Sequence, residues 1–216
     1  MNILISAGPT LEPIDAVRFI SNRSSGKMGV ALAQSALDAG HEVTVVHGPL
    51  SVNTLEHGTW LPVERAQEML DTLAERMDWA DVLIMSAAVC DMRPVLNEGD
   101  EGQNTKVDKS QLQQLNFVAN PDIVATLAQR FNDVHIVSFS LENDLSVDRP
   151  LEKMRAKKSN WVVYNQLRSI GANSSTFGIL DREGHAILAP QELEKAELAK
   201  HLVQQLVSIS PKKENH

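Results

Sequence analysis

A chain of 216 residues, 43% apolar and 22% charged, is long enough for one α/β domain with a sizeable core and short for two. Its net charge of −8, from 28 acidic and 20 basic side chains, argues against wholesale nucleic-acid binding, which needs a basic face to displace counterions. The single cysteine, Cys90, excludes an intramolecular disulfide and a cysteine zinc site.

The opening "MNILISAGPT" has no basic leader and no cleavage pattern, and no apolar run approaches a membrane span, so the expected location is the cytoplasm. Asn2 to Ala7 reads as a strand that runs into the loop "GPTLEPID", where Gly8 and two prolines forbid an immediate helix. Gly26 to Ala39 has helical spacing, with Gly40 as its C-cap. "EVTVVHGP" and "TWLPVE" read as strands, and Ala66 to Trp79 as a helix with Met69, Leu70, Leu73 and Met77 on one face. "DVLIMSAAV" is a near-continuous apolar run, the mark of a strand buried on both faces.

From 92 to 115 the chain is polar and reads as a flap. "NPDIVATLAQRF" then starts a helix with Asn120 as N-cap and Pro121 in the first turn. "VHIVSFS" predicts a strand, "SVDRPLEKMRAKK" a helix and "NWVVYNQ" a strand. "STFGILDREGHAILAP" predicts a hairpin turning at Arg182–Gly184, and Gln191 to Ile209 a last helix. Residues 1–209 are thus read as one domain and 210–216 as a solvated tail. The alternation predicts a Rossmann-like, doubly wound, mostly parallel α/β sheet, with the flap insert and a C-terminal β-hairpin as departures.

Ligands of such sheets bind outside the carboxyl ends of the strands, which points to four segments: "SAGPTLEPID" with "RFISNRSSGKMG", then "SAAVCDMRP", "SFSLEND" and "YNQ". Ser24, Ser25 and Gly26 precede a helix whose free N–H groups suit an anion, with Arg18 and Lys27 adding charge; an N-capped helix with a solvated lysine fits equally. The stretch is neither a Walker A loop nor GxGxxG. Ala87 and Ala88 let a planar ligand lie close to the backbone, and Asp91 suits a ribose or an amine, or simply caps a turn. Lys106, Lys109, Lys153, Lys157 and Lys158 are either phosphate-binding or a solvated face. Seven histidines show no HxH or HExxH spacing, and Cys90 has no histidine near it in sequence, so no side-chain metal site and no thiol chemistry are expected.

"SAGPTLEPIDAVRFISNRSSGKMG", "SAAVCDMRP", "TKVDK" and "NPDIV" together resemble phosphopantothenate–cysteine ligase over nearly the whole chain. In many bacteria that domain is fused behind a flavin decarboxylase, absent here, so the expectation is a free-standing ligase. The resemblance implies coenzyme A synthesis from phosphopantothenate and L-cysteine, with CTP rather than ATP as co-substrate and Mg²⁺ beside the triphosphate. An acyl-cytidylate forms with loss of pyrophosphate, and cysteine then displaces CMP. The family is homodimeric with its site near the interface, so Arg18 is available to the neighbouring subunit, and a separate decarboxylase is a possible partner.

By the same resemblance Asn22 holds the acyl intermediate, Arg18 lies near the pantothenate and Lys106 is the lid lysine. Met85, Ser86, Ala87, Asp91, Pro121, Asp122, Ile123, Val124, Phe139, Lys153 and Lys157 fall on nucleotide contacts. Ser24, Ser25, Gly26, Lys27 and Ala88 fall on the acyl-substrate side. The family's "GFAAET" reads "SFSLEN" here, "KIKK" reads "KVDK", "AND" reads "YNQ", "AGGT" reads "AGPT" and "AVAD" reads "AVCD". A Rossmann oxidoreductase without the glycine fingerprint, and a binding protein without turnover, are the competing readings.

Overall fold

The computed structural model describes residues 1–95, 106–166 and 173–209. The first half holds β1 (Asn2–Ala7), β2 (Leu11–Pro13), β3 (Phe19–Ser21), α1 (Lys27–Asp38), β4 (Glu42–His47), β5 (Thr59–Pro62), α2 (Ala66–Ala74), β6 (Val82–Met85) and β7 (Met92–Val95). After it come α3 (Lys109–Leu112), β8 (Asn116–Ala119), α4 (Ile123–Arg130), β9 (His135–Glu142), α5 (Asp148–Lys157), β10 (Trp161–Gln166), β11 (Ser174–Asp181), β12 (Ala186–Glu194) and α6 (Lys195–Leu206). Among the described residues no helix is long and apolar enough to cross a membrane.

Eight strands form one sheet in the order β12-β11-β10-β9-β6-β1-β4-β5. Six of them, from β5 to β10, run parallel, and β11 and β12 join antiparallel at one edge. Counting only the parallel strands along the chain, the order is 3-2-1-4-5-6, the doubly wound arrangement expected from the alternation. Side chains alternate across each strand, so Ile3, Ile5 and Ala7 pack under α1 and α6 while Leu4 packs under α2 and α4. The continuous apolar runs are therefore buried on both faces.

Several boundaries differ from the sequence reading. The "GPTLEPID" loop contains β2, which pairs with β3 as a small hairpin. The flap begins and ends in strands, because β7 pairs antiparallel with β8; residues 96–105 lie outside the described ones, as does the tail 210–216. The helix at 66 stops at Ala74 and continues only as turns. β6 ends at Met85, where the following residues leave the ladder to bond the loop after β1. Ala39 is the C-cap of α1, with Gly40 taking the left-handed position behind it.

Two helix starts are also corrected. Asp122, not Asn120, caps α4, its carboxylate accepting from Ala125 N at 3.1 Å. Asn120 instead donates its side-chain amide to Glu12 Oε1 and Cys90 O. Gln191 to Glu194 belong to β12, paired with β11, and α6 starts at Lys195 with Glu194 and Glu197 forming a reciprocal capping box. The buried Leu193 fits both a helical and a strand period, which is why the apolar pattern runs on across the boundary.

Candidate functional site

The crevice opens where β1 and β6, neighbours in the sheet, send their chains to opposite sides. The two loops are stitched together. Ser86 Oγ donates to Ser6 O at 2.6 Å, Ala87 N to Ser6 Oγ at 3.1 Å and Ala88 N to Gly8 O at 2.9 Å. Cys90 N donates to Thr10 Oγ1 at 2.9 Å. A third segment joins when Asn22 Nδ2 donates to Val89 O at 2.9 Å and Ala88 O at 3.3 Å.

On one side of this seam lies a cavity of about 420 Å³. Met85, Ala87, Asp91, Pro121, Asp122, Ile123, Val124, Phe139, Lys153 and Lys157, all predicted nucleotide contacts, line it. Its cations are matched by carboxylates. Lys153 Nζ lies 2.6 Å from Glu142 Oε1, Arg149 Nε lies 3.6 Å from Glu142 Oε2, and Ser140 Oγ donates to Oε1 at 2.5 Å. Lys157 Nζ lies 3.1 Å from Asp122 Oδ2. Burial works to raise the Glu142 pKa, but the hydrogen bonds from Lys153 and Ser140 and the nearby positive charges outweigh it, holding the carboxyl below its ordinary range.

On the other side a second cavity, about 230 Å³, is lined by Ser24, Ser25, Gly26, Lys27, Ser86 and Ala88 together with Arg23 and Lys195. Gly26 enters α1 at φ 77°, and apart from a long 3.4 Å bond from Lys27 N to Ser25 Oγ no side chain satisfies the first N–H groups of the helix, which starts at the wall of this space. α1 can seat here because position 29 is glycine: a Cβ there would come within 2.3 Å of Ala7 Cβ. Lys27 Nζ donates to Asn173 Oδ1 at 3.0 Å. Burial, and then the charge of Lys27, lower the pKa of Lys195. Ala87, Phe139 and Leu141 belong to both cavities.

The chain matches the family model described as "DNA/pantothenate metabolism flavoprotein C-terminal domain" over residues 1–209. It belongs to that family. It is 44% identical over 158 residues to the coenzyme A biosynthesis bifunctional protein CoaBC of Vibrio vulnificus, covering 71% of this chain and 39% of that protein. To CoaBC of Escherichia coli K12 it is 32% identical over 210 residues, covering 94% of this chain and 50% of the relative. The chain thus spans about half the length of the curated relatives it matches. The crystal structure of the C-terminal domain of a CoaBC superposes with TM-score 0.79 at 33% identity, covering 95% of this chain and 93% of that one. A variant of Cab2 in complex with phosphopantothenate-cysteine superposes with TM-score 0.73 at 19% identity, over 94% and 85% of the two chains, a likeness of fold.

Within this DNA/pantothenate flavoprotein C-terminal fold, three predicted residues stand outside both cavity walls. Asn22 is exposed beside the seam it bonds. Arg18 is turned to Asp15, with Nε 2.9 Å from Asp15 Oδ2 and Nη2 bonded to the same oxygen, and also donates to Val107 O at 2.7 Å. Lys106 is exposed, next to the buried Val107. Cys90 lines the first cavity, and burial pushes its thiol pKa up, which disfavours a thiolate nucleophile.

Lys195 was not singled out in the sequence, because it begins the last helix, far along the chain from Lys27. Glu142 falls inside "SFSLEN", where nothing in the sequence signals its burial or its pairing with Lys153. Glu12, 2% exposed, accepts from Ala66 N and Asn120 Nδ2 and ties the α2 and α4 entrances together. Asp181, Glu183 and His185 gather at the β11–β12 turn with ligand atoms within 4.8 Å of one another, a D-x-E-x-H spacing. His185 bonds Asp181 through both its N–H and its ring, so the turn itself accounts for two of the three.

Proposed function

We propose that this chain joins phosphopantothenate to L-cysteine through an acyl-cytidylate, releasing pyrophosphate and then CMP. The observation that carries the reading is a pair of cavities sharing the wall of Ala87 and Phe139. One is edged by Lys153, Lys157 and the α4 entrance, the other by the open N-terminus of α1 with Arg23, Lys27 and Lys195. Membership of the family and the 44% identity to a coenzyme A biosynthesis protein support it.

In the first step a carboxylate oxygen of phosphopantothenate attacks the α-phosphorus and the bond to pyrophosphate breaks. In the second the cysteine amine attacks the acyl carbon, the acyl–oxygen bond breaks, CMP carries off the electron pair and the amine loses a proton. No side-chain nucleophile is needed; positioning and cation neutralisation supply the catalysis. Lys153 and Lys157 neutralise the nucleotide, and the α1 entrance with Ser24, Ser25 and Lys27 binds the anionic acyl substrate. Asn22 orients the carboxylate, and Lys106 approaches the α-phosphate. Asp91 and Asp122 offer hard oxygen donors beside the nucleotide cavity, and Mg²⁺ held there would offset triphosphate charge.

A homodimer belongs to the same proposal, since Arg18 stands outside both cavities of its own chain. Val17 and Phe19, either side of it in the β2–β3 hairpin, and Met92 and Phe117 on β7–β8 are large exposed apolar groups, which favours burial against a second copy. The reaction takes place in the cytoplasm, and its carboxylated product suits a separate decarboxylase.

Incubation with phosphopantothenate, cysteine and each nucleoside triphosphate tests the reading. Pyrophosphate is expected with CTP, dependent on phosphopantothenate, and Lys106→Gln should lower its release by about a hundredfold. No release with any nucleotide would sink the ligase assignment, and nucleotide binding without turnover would favour a binding protein.

A further inference from the structure

We infer that Asp15 is a positioning residue for Lys106, acting through both sides of the Val107 peptide. Asp15 sits in the turn between β2 and β3 and its side chain is fully buried. Its two oxygens have separate duties. Oδ1 accepts from the backbone N–H of Val17 at 2.9 Å and of Arg18 at 2.7 Å, which shapes the turn. Oδ2 accepts from the Arg18 guanidinium and, across 92 residues of sequence, from Val107 N at 3.2 Å.

Arg18 completes the grip by donating Nη2 to Val107 O at 2.7 Å. Both polar groups of the Val107 residue are thus held by one ion pair whose carboxylate is buried, and the residue is only 6% exposed. A backbone N–H and C=O fixed together leave the residue little freedom in φ or ψ, so the neighbouring Lys106 leaves the core from a set point and direction. The lysine itself is exposed and long, with the side-chain entropy of a free cation. Anchoring its backbone removes the main-chain part of the search its ammonium group would otherwise make.

The same contacts give Arg18 a task apart from substrate: its half-buried guanidinium is oriented by Asp15. The Arg18 hydrogen bond is the main cause that holds the Asp15 carboxyl well below the usual carboxylate range, with the backbone N–H groups adding to it against burial. The clamp is therefore charged at any working pH.

The inference rests on the proposed role of Lys106, and the test separates the two. Asp15→Asn keeps an oxygen for the turn amides and replaces the gripping oxygen by a donor. Backbone exchange at Val107, measured by NMR, should accelerate about tenfold or more in Asp15→Asn while the β1 and β6 amides keep their protection. With CTP and phosphopantothenate, pyrophosphate release should fall about a hundredfold. Adding Lys106→Gln to Asp15→Asn should cost less than about threefold more, because the two changes remove one interaction. Unchanged Val107 exchange, or fully multiplicative losses in the double variant, overturns the inference. If the unmodified protein releases no pyrophosphate the ligase reading fails, and Val107 exchange alone still decides whether the clamp exists.

Discussion

The two cavities on either side of Ala87 hold their cations in opposite states. In the larger one each lysine already has a carboxylate: Lys153 has Glu142 and Lys157 has Asp122. In the smaller one Lys27 has only a neutral amide, and neither Arg23 nor Lys195 has an ion-pair partner among the described residues. A balanced wall contributes to the fold whether or not ligand is present. An unbalanced wall costs stability when empty and returns it when an anion arrives, so its charge is available for binding.

Changing Lys153 to Met should expose the contrast most strongly. Glu142 is 4% exposed and would keep only the neutral hydrogen bond from Ser140 and the 3.6 Å contact with Arg149, so the protein should lose about 2 kcal/mol in urea unfolding. The loss should be absent in acid. The folded pKa of Glu142 is depressed, so its contribution is present above its ordinary value of 4.5 and disappears as pH falls below that. An equal loss for Lys153→Met at pH 3 and pH 7 would show that the pair is not what the substitution removes.

Lys195→Met should behave the other way. Stability should stay within about 0.5 kcal/mol or rise, since a like charge leaves the neighbourhood of Lys27, while KM for phosphopantothenate should climb about tenfold, worth about 1.4 kcal/mol. The pH sign is also opposite. A lysine with a lowered folded pKa carries its penalty at neutral pH and sheds it in alkali, so any stabilisation from Lys195→Met should fade as pH rises toward the ordinary value of 10.5.

The smallest effect is expected from Asp122→Asn. The amide can still cap α4, and the pair with Lys157 is about 40% exposed on both sides, so stability should change by less than about 1 kcal/mol. Freed from its partner, Lys157 should tighten nucleotide binding about two- to threefold when titration calorimetry with CTP is run without a divalent cation, a gain that loss of the Asp122 oxygen donor should cancel once Mg²⁺ is added.

How much of this could be read from the sequence follows the reach of each interaction. The central parallel strands were legible because burial on both faces leaves a run such as "VLIM" with no polar residue. The larger cavity was partly legible because its wall includes Met85 at the carboxyl end of β6, Asp91 in the loop after it and Phe139 in the second half of β9. The β2–β3 hairpin was not, since three-residue strands, one of them ending in Pro13, show no period. Asn120 looks like a helix cap in sequence, and only the fold brings Glu12 close enough to claim its amide. Asp15 and Val107, or Lys27 and Lys195, lie too far apart in the chain for any local pattern to join them.

Gly29 also sets what can move. With its backbone pressed on Ala7 and no side chain between, α1 travels only as one body with the sheet, and the turn at Ser24 to Lys27 is as stationary as β1 itself. Any adjustment of the crevice then falls on side chains such as Leu141, 42% exposed and part of the wall of both cavities. One jaw of the crevice is an anvil, and any give in the grip comes from the other.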